Sequence, residues 1–90
     1  MRVLVVHASR FGATAGIAAR IAQVLGGRDL RAECYPVTEL ANLSGANAVV
    51  IGSAVHGGHL LDEATQFVYR HKSELRLLPV WLFSSGPVGD

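Results

Sequence analysis

Apolar residues fall along this chain in short blocks whose period changes from one block to the next. Val3-Leu4-Val5-Val6 is a run of four within residues 2 to 8. A run apolar at consecutive positions predicts a strand buried on both faces, the habit of a central parallel strand. Residues 9 to 13 are a polar loop. From about Thr14 to Leu25, Ile17, Ile21, Val24 and Leu25 recur at helical spacing, with Ala18 and Ala22 between them. Gly26-Gly27 supplies a stop for that helix.

Residues 31 to 37 alternate instead. Arg31, Glu33 and Tyr35 take one side, and Ala32, Cys34 and Pro36 the other, which predicts a less buried strand. Pro36 has no N–H to give a ladder and belongs on a sheet edge. Residues 38 to 46 hold at most a short helix and a turn. Ala48-Val49-Val50-Ile51 predicts a second two-sided strand over 47 to 53, followed by a glycine-rich loop from Gly52 to His59. Residues 60 to 76 read as one helix, with Leu60, Leu61, Ala64, Phe67, Val68, His71 and Leu75 on one side. His59 opens it, and Asp62 and Glu63 suit its positive end. Residues 79 to 83 form a third two-sided apolar strand that runs into Ser84-Ser85-Gly86 and the end of the sequence.

Strands that alternate with helices imply right-handed crossovers and a parallel sheet, hence an α/β fold. With the alternating strand at the edge, the strand order is 2-1-3-4. Ligands of such sheets sit beyond the carboxyl ends of the strands, where the order reverses. Here that point lies between the strands beginning near residues 2 and 48. The loops at 9–14, 53–59 and 84–90 all emerge at that end.

Composition narrows the partners. Ninety residues make one small domain, read as residues 1–90. Half of them are hydrophobic, 17% are charged and the net charge is +1, with Lys and Arg scattered. That balance gives no footprint for nucleic acid. The longest apolar runs fall far short of a bilayer span. The apolar start at Met1–Val6 is too short for a signal peptide. A single cysteine, Cys34, rules out an internal disulfide and fits the cytoplasm. No Cys/His cluster has zinc spacing.

The first loop carries the clearest chemistry. Ser9-Arg10-Phe11-Gly12-Ala13-Thr14 sits between a strand and a helix. A helix start leaves backbone N–H groups unpaired and partly positive, which favours an anion. Ser9 and Thr14 add hydroxyls, and Gly12 lets a ligand approach the backbone. The plainer alternative is that Ser9, Gly12 and Thr14 only cap the helix. Arg10 could neutralise a phosphate or simply face water. No Gly-Lys-Ser/Thr follows, so a P-loop is disfavoured, and Gly12 with Gly16 does not make a dinucleotide fingerprint. A phosphate monoester fits best. His7 reads as a packed histidine, Cys34 as structural, and Asp62 with Glu63 as first-turn acids. A receiver-like domain would need acids where His7-Ala8-Ser9 and Gly52-Ser53 stand.

These residues carry a family resemblance. Ser9-Arg10-Phe11-Gly12-Ala13-Thr14 resembles the T/S-x-x-G-x-T phosphate loop of the flavodoxin family, which binds flavin mononucleotide (FMN). Gly52-Ser53-Ala54-Val55-His56-Gly57-Gly58-His59 is similar to the second flavin loop of its menaquinone-dependent protoporphyrinogen oxidase branch. Phe67–His71 and Pro79–Gly86 continue that similarity. The resemblance implies FMN as cofactor. It assigns the phosphate to Ser9, Arg10, Phe11, Gly12, Ala13 and Thr14. It assigns the ring to Ser53, Ala54, Val55, His56, Gly57 and Gly58 on one side and to Ser84, Ser85 and Gly86 on the other. His56 packs on the ring, hydrogen-bonds near it, or faces water. No protein nucleophile or base is required.

The resemblance implies electron transfer or an FMN-dependent oxidoreductase, with a redox protein or a small-molecule or quinone acceptor as partner. Two departures bear on this. The loops at 53–59 and 84–90 lack Trp and Tyr, and the chain is nearly neutral where electron carriers are strongly acidic. A third concerns length. Family members run past 90 residues, so the fold is expected to stop before a helix, a fifth strand and a final helix. The strand at 79–83 then becomes an exposed apolar edge. Either the sequence is a fragment, which is favoured, or the chain associates with itself or a partner through that edge. The competing reading is a flavodoxin-fold module with no competent flavin site, serving structure or interaction only.

Overall fold

A computed structural model describes residues 1–9, 12–28, 30–40 and 42–85. The elements are β1 (Arg2–Ala8), α1 (Ala13–Gly26), β2 (Arg31–Pro36), β3 (Ala48–His56), β4 (His59–Leu60), α2 (Asp62–Arg70), α3 (Lys72–Leu75) and β5 (Val80–Ser85). β1 pairs in parallel with β2 on one side and β3 on the other, and β3 pairs in parallel with β5. The order β2-β1-β3-β5 is the one expected, with β5 as the fourth parallel strand. β2, with Pro36, lies at the edge.

The alternation of β1 and β3 sorts the core onto two faces. Val3, Val5, Ala18 and Ala48 form one buried cluster, joined by Ile21, Leu25 and Phe83, beneath α1. Leu4, Val6, Val49 and Ile51 belong to the other, with Leu61, Ala64, Phe67 and Leu75 from the α2–α3 side. On β2, Tyr35 packs on the second cluster and Cys34 on the first, as the alternation predicts. Burial raises the Cys34 thiol above its ordinary pKa, so it is a poor nucleophile and a structural residue.

Residues 38 to 46 hold turns and no helix among those described, within the expectation of at most a short helix and a turn. Two elements depart from expectation. The strand predicted to end at Ser53 continues to His56, turns at Gly57-Gly58 and returns as β4, so the expected loop is an antiparallel hairpin. Its two turn residues have φ of +60° and +81°, a geometry glycine adopts freely and that matches the twist of paired strands. His59 therefore lies in β4, and the helix opens at Asp62. The single helix of 60–76 is two, broken at His71, whose φ of −104° and ψ of 19° leave the helical range. The His71 ring is buried. Its Nδ1 lies 3.2 Å from Glu74 Oε1, and its ring centroid is 4.6 Å from that of Phe67. The chain thus turns at a residue that still contributes to the core.

The N-terminal end of the sheet is pinned by charge. Arg2 donates to Glu33 at 2.9 Å and to the Ser44 carbonyl, while Tyr35 donates its hydroxyl to Glu33. Arg31 adds a contact to Glu33 at 3.1 Å. Hydrogen bonds from Arg2, then Tyr35, hold the Glu33 carboxyl below its usual pKa. This network is remote from the carboxyl ends of the strands.

Candidate functional site

The expected site residues that the structure describes lie on elements at the carboxyl end of the sheet. Ala8 is in register with Ser53, and Ser53 with Ser84, so these three lie in one row across β1, β3 and β5. Ala54 and Ser85 pair in the next row. Ser84 and Ser85 belong to β5 rather than to a loop. Arg10, Phe11 and Gly86, and the rest of the 84–90 segment, lie outside the described residues.

The first loop is built by its own backbone. Gly12 is the N-cap residue of α1 with φ of 87°, and no side chain caps the helix. Ser9 acts one step earlier: its Oγ accepts the Gly12 N–H at 2.8 Å. The helix ladder begins with Gly16 N–H donating to the Gly12 carbonyl at 2.9 Å. The N–H groups between them face no helical partner, as at any helix start. Thr14 is buried at 1% accessibility, and among the described residues its Oγ1 has no hydrogen-bond partner. Simple capping would engage a Ser9 or Thr14 hydroxyl at the helix itself, and neither does so. A buried hydroxyl without a partner costs about 1–3 kcal/mol, so this end of the molecule holds an unmet demand for an acceptor or donor.

The second loop is the β3–β4 hairpin. Only two residue pairs hold it as a ladder, Val55 with Leu60 and His56 with His59. Ser53, at 0% accessibility, closes its base. The Ser53 hydroxyl accepts the Leu61 N–H at 3.1 Å and donates to the Ala54 carbonyl at 2.8 Å. The serine expected to face a ligand thus spends its hydroxyl inside the protein. Nothing in the sequence marks Leu61 as its partner, because the contact depends on the hairpin. Gly57 and Gly58 have open space where a Cβ would project, so backbone is presented at the turn. His56, His59, Leu60, Leu61, Asp62 and Glu63 line a depression of about 400 Å³ beside it.

Between the two loops lies His7 at the end of β1, in register with Gly52 of β3. Burial lowers its pKa, and the nearby Glu39 carboxylate opposes that only in part. His7 is therefore a neutral imidazole at neutral pH, half-buried at the sheet end rather than packed in the core as expected.

Two larger grooves flank β5, and the second reaches the hairpin at Leu60. One, of about 510 Å³, is lined by Val3, Ile21, Leu25, Val50, Trp81 and Phe83 among others. The other, of about 420 Å³, lies between β5 and α2 and includes Ile51, Leu60, Val68, Tyr69 and Leu82. Both are almost wholly apolar. Among the described residues no group of three or more His, Cys, Asp and Glu is arranged to hold a metal, and no helix is long and apolar enough to cross a membrane.

Residues 4–90 match the family model described as a flavodoxin domain. Solved structures share the fold. A cysteine-to-serine mutant of flavodoxin from Pseudomonas aeruginosa superposes with a TM-score of 0.79 at 22% identity, covering 96% of this chain and 61% of that one. Oxidised flavodoxin 2 from Bacillus cereus gives 0.73 at 25% identity, over 100% of this chain and 64% of that one. A mutant flavodoxin from Fusobacterium nucleatum, bound to flavin mononucleotide, gives 0.66 at 14% identity, over 94% and 51%. The chain thus spans less than two thirds of the length of each. Comparison with curated protein sequences yields no match.

Proposed function

The chain belongs to the flavodoxin domain family, and on that premise we propose that it is an FMN-binding electron-transfer domain. The observation that carries this reading is the Thr14 hydroxyl, buried at the start of α1 with no hydrogen-bond partner among the described residues, beside the Ser9 Oγ that accepts the Gly12 N–H. A phosphate there answers both the free N–H groups and the unpartnered hydroxyl. Ser9, Gly12, Ala13 and Thr14 hold the phosphate, with Arg10 and Phe11 from the same loop. Ala54, Val55, His56, Gly57 and Gly58 form the wall and backbone edge on one side of the ring. Ser84, Ser85 and Gly86 close the other, and Ser53 serves through the backbone it fixes. A bound FMN supplies the redox chemistry, while the protein supplies binding, orientation and electrostatic tuning.

Within the family, the Gly52–His59 motif supports an FMN-dependent oxidoreductase of the protoporphyrinogen-oxidase-like branch over a pure carrier. Its partner is then a redox protein or a quinone-like acceptor. The hairpin's lack of Trp and Tyr and the net charge of +1 point the same way. The single cysteine supports a cytoplasmic setting. Residues 1–90 are read as part of one flavodoxin-like domain, supported by the 61–64% of the relatives that they span.

The test is to titrate FMN into the purified chain while following flavin fluorescence and visible absorbance. Saturable quenching with a spectral shift at micromolar FMN is expected. Unchanged emission from a protein that is folded by circular dichroism would refute the reading.

A second reading has its own observation. Val80, Trp81 and Leu82 are 39%, 59% and 59% accessible on a strand whose only described partner is β3. Such an edge pairs with other chains, so the protein self-associates along β5, or serves as an interaction module if FMN does not bind. Light scattering across a concentration series distinguishes a monomer from a dimer that Trp81→Lys disrupts.

A further inference from the structure

The β3–β4 hairpin is too small to hold its own position. β4 has two residues, and a two-stranded ribbon of that size is unstable in water. Yet the turn must sit in one place if Gly57 and Gly58 are to present backbone to a flat ligand. One side chain spans the base of the hairpin. Ser53 lies in β3, and the N–H it accepts belongs to Leu61, eight residues on, between β4 and the first residue of α2. Its own hydrogen goes to the Ala54 carbonyl. A hydroxyl has a single proton, and this one is spent on the backbone. At 0% accessibility the side chain touches no ligand.

We propose that Ser53 is a positioning residue whose hydroxyl clasps the hairpin to the start of α2 and so sets where the Gly57-Gly58 turn meets the flavin ring. The proposal rests on the FMN reading above. It separates two ends of one site. The phosphate end is built at the start of α1, and among the described residues no hydrogen bond joins Ser9, Gly12 or Thr14 to the clasp. The ring end depends on it. Removing the hydroxyl leaves the buried Leu61 N–H without an acceptor and frees the hairpin, so the loss falls on ring binding alone.

Two variants break the clasp from opposite sides. Ser53→Ala removes the acceptor. Leu61→Pro removes the donor at a residue whose φ of −61° and ψ of 145° proline adopts without strain, and because it also trims a core side chain, Leu61→Val, which keeps the N–H, is its control. Each is expected to weaken FMN binding by about fivefold to tenfold, the size of one net hydrogen bond. Their double variant should lose little more than either, because both act on one bond. Competition by inorganic phosphate for the FMN site should stay within about twofold of wild type, since α1 is untouched. The flavin midpoint potential should shift in both variants, which a change in general stability would not produce. Hydrogen exchange in the cofactor-free protein gives an independent readout: Ser53→Ala should speed exchange at the Leu61 amide. FMN affinity and potential equal to wild type in both variants would overturn the proposal. So would a parallel loss of phosphate competition, or exchange at Leu61 unchanged by Ser53→Ala. If wild type takes up no FMN, the cofactor reading fails, and faster Leu61 exchange in Ser53→Ala still upholds the clasp itself.

Discussion

β1 and β5 carry almost the same pattern and meet opposite fates. Val3-Leu4-Val5-Val6 is 5% accessible at Val3 and 0% at the other three. Val80-Trp81-Leu82 is 39–59% accessible. Both strands are apolar at consecutive positions, the mark of burial on two faces. β1 has a strand on each side and a helix layer on each face. β5 has β3 on one side, with a groove over each face. A run of apolar residues thus states what a strand requires, and only its neighbours decide whether the requirement is met.

The largest test of that contrast is Leu4→Ala, expected to cost about 2–5 kcal/mol because the site cannot collapse around the lost side chain. Urea unfolding followed by circular dichroism measures it. A cost below about 1 kcal/mol, outside the range for a packed leucine, would mean that β1 is not the packed centre.

Polar groups extend the contrast. Thr14→Val replaces a buried hydroxyl without a partner by a methyl of the same shape. It should stabilise the cofactor-free fold by about 1 kcal/mol, the desolvation it relieves, while weakening FMN binding. A single variant that gains stability and loses affinity separates a binding residue from a structural one. Thermal melts with and without FMN show both signs.

His7, near the end of β1, is only half-buried, unlike Val3 to Val6. Its folded-state pKa is lowered, so below the unfolded value of 6.5 the unfolded chain binds more protons than the folded one. Stability therefore falls as pH drops below 6.5 and levels off once the folded imidazole is protonated too. His7→Gln should flatten this limb of the stability profile, leaving the carboxylate losses below pH 4.5, where the unfolded Glu33 takes up a proton before the paired, folded one does.

The smallest effect belongs to β5. Trp81→Lys should change the stability of the isolated chain by less than about 0.5 kcal/mol, as for an exposed site. It should act instead on association, shifting any dimer towards monomer in light scattering. A loss of several kcal/mol from the monomer would show that Trp81 is packed.

The order of the sheet was legible because runs such as Val3–Val6 and Ala48–Ile51 have few other solutions, and Pro36 marks the edge. The place of the 9–12 connection was legible for the same reason: strand, hydroxyl, glycine and helix follow one another directly. The hairpin was not. Gly57-Gly58 signals a turn, but His56 and His59 on either side have little strand propensity, and the bond that fixes the base joins Ser53 to a backbone N–H that no pattern marks. The break at His71 was hidden as well, since its ring keeps the helical apolar stripe while its backbone leaves it. The Arg2–Glu33–Tyr35 network likewise depends on the register of β1 with β2, which spacing along one strand does not reveal.

The central claim is that one FMN molecule spans the α1 loop and the β3–β4 hairpin. Backbone amide shifts in a ¹⁵N-labelled sample test it most directly. FMN should move the amides of Gly12, Ala13 and Thr14 together with those of Gly57 and Gly58, whereas inorganic phosphate should move the first group alone. Shifts confined to one loop with FMN, or to neither, would contradict it.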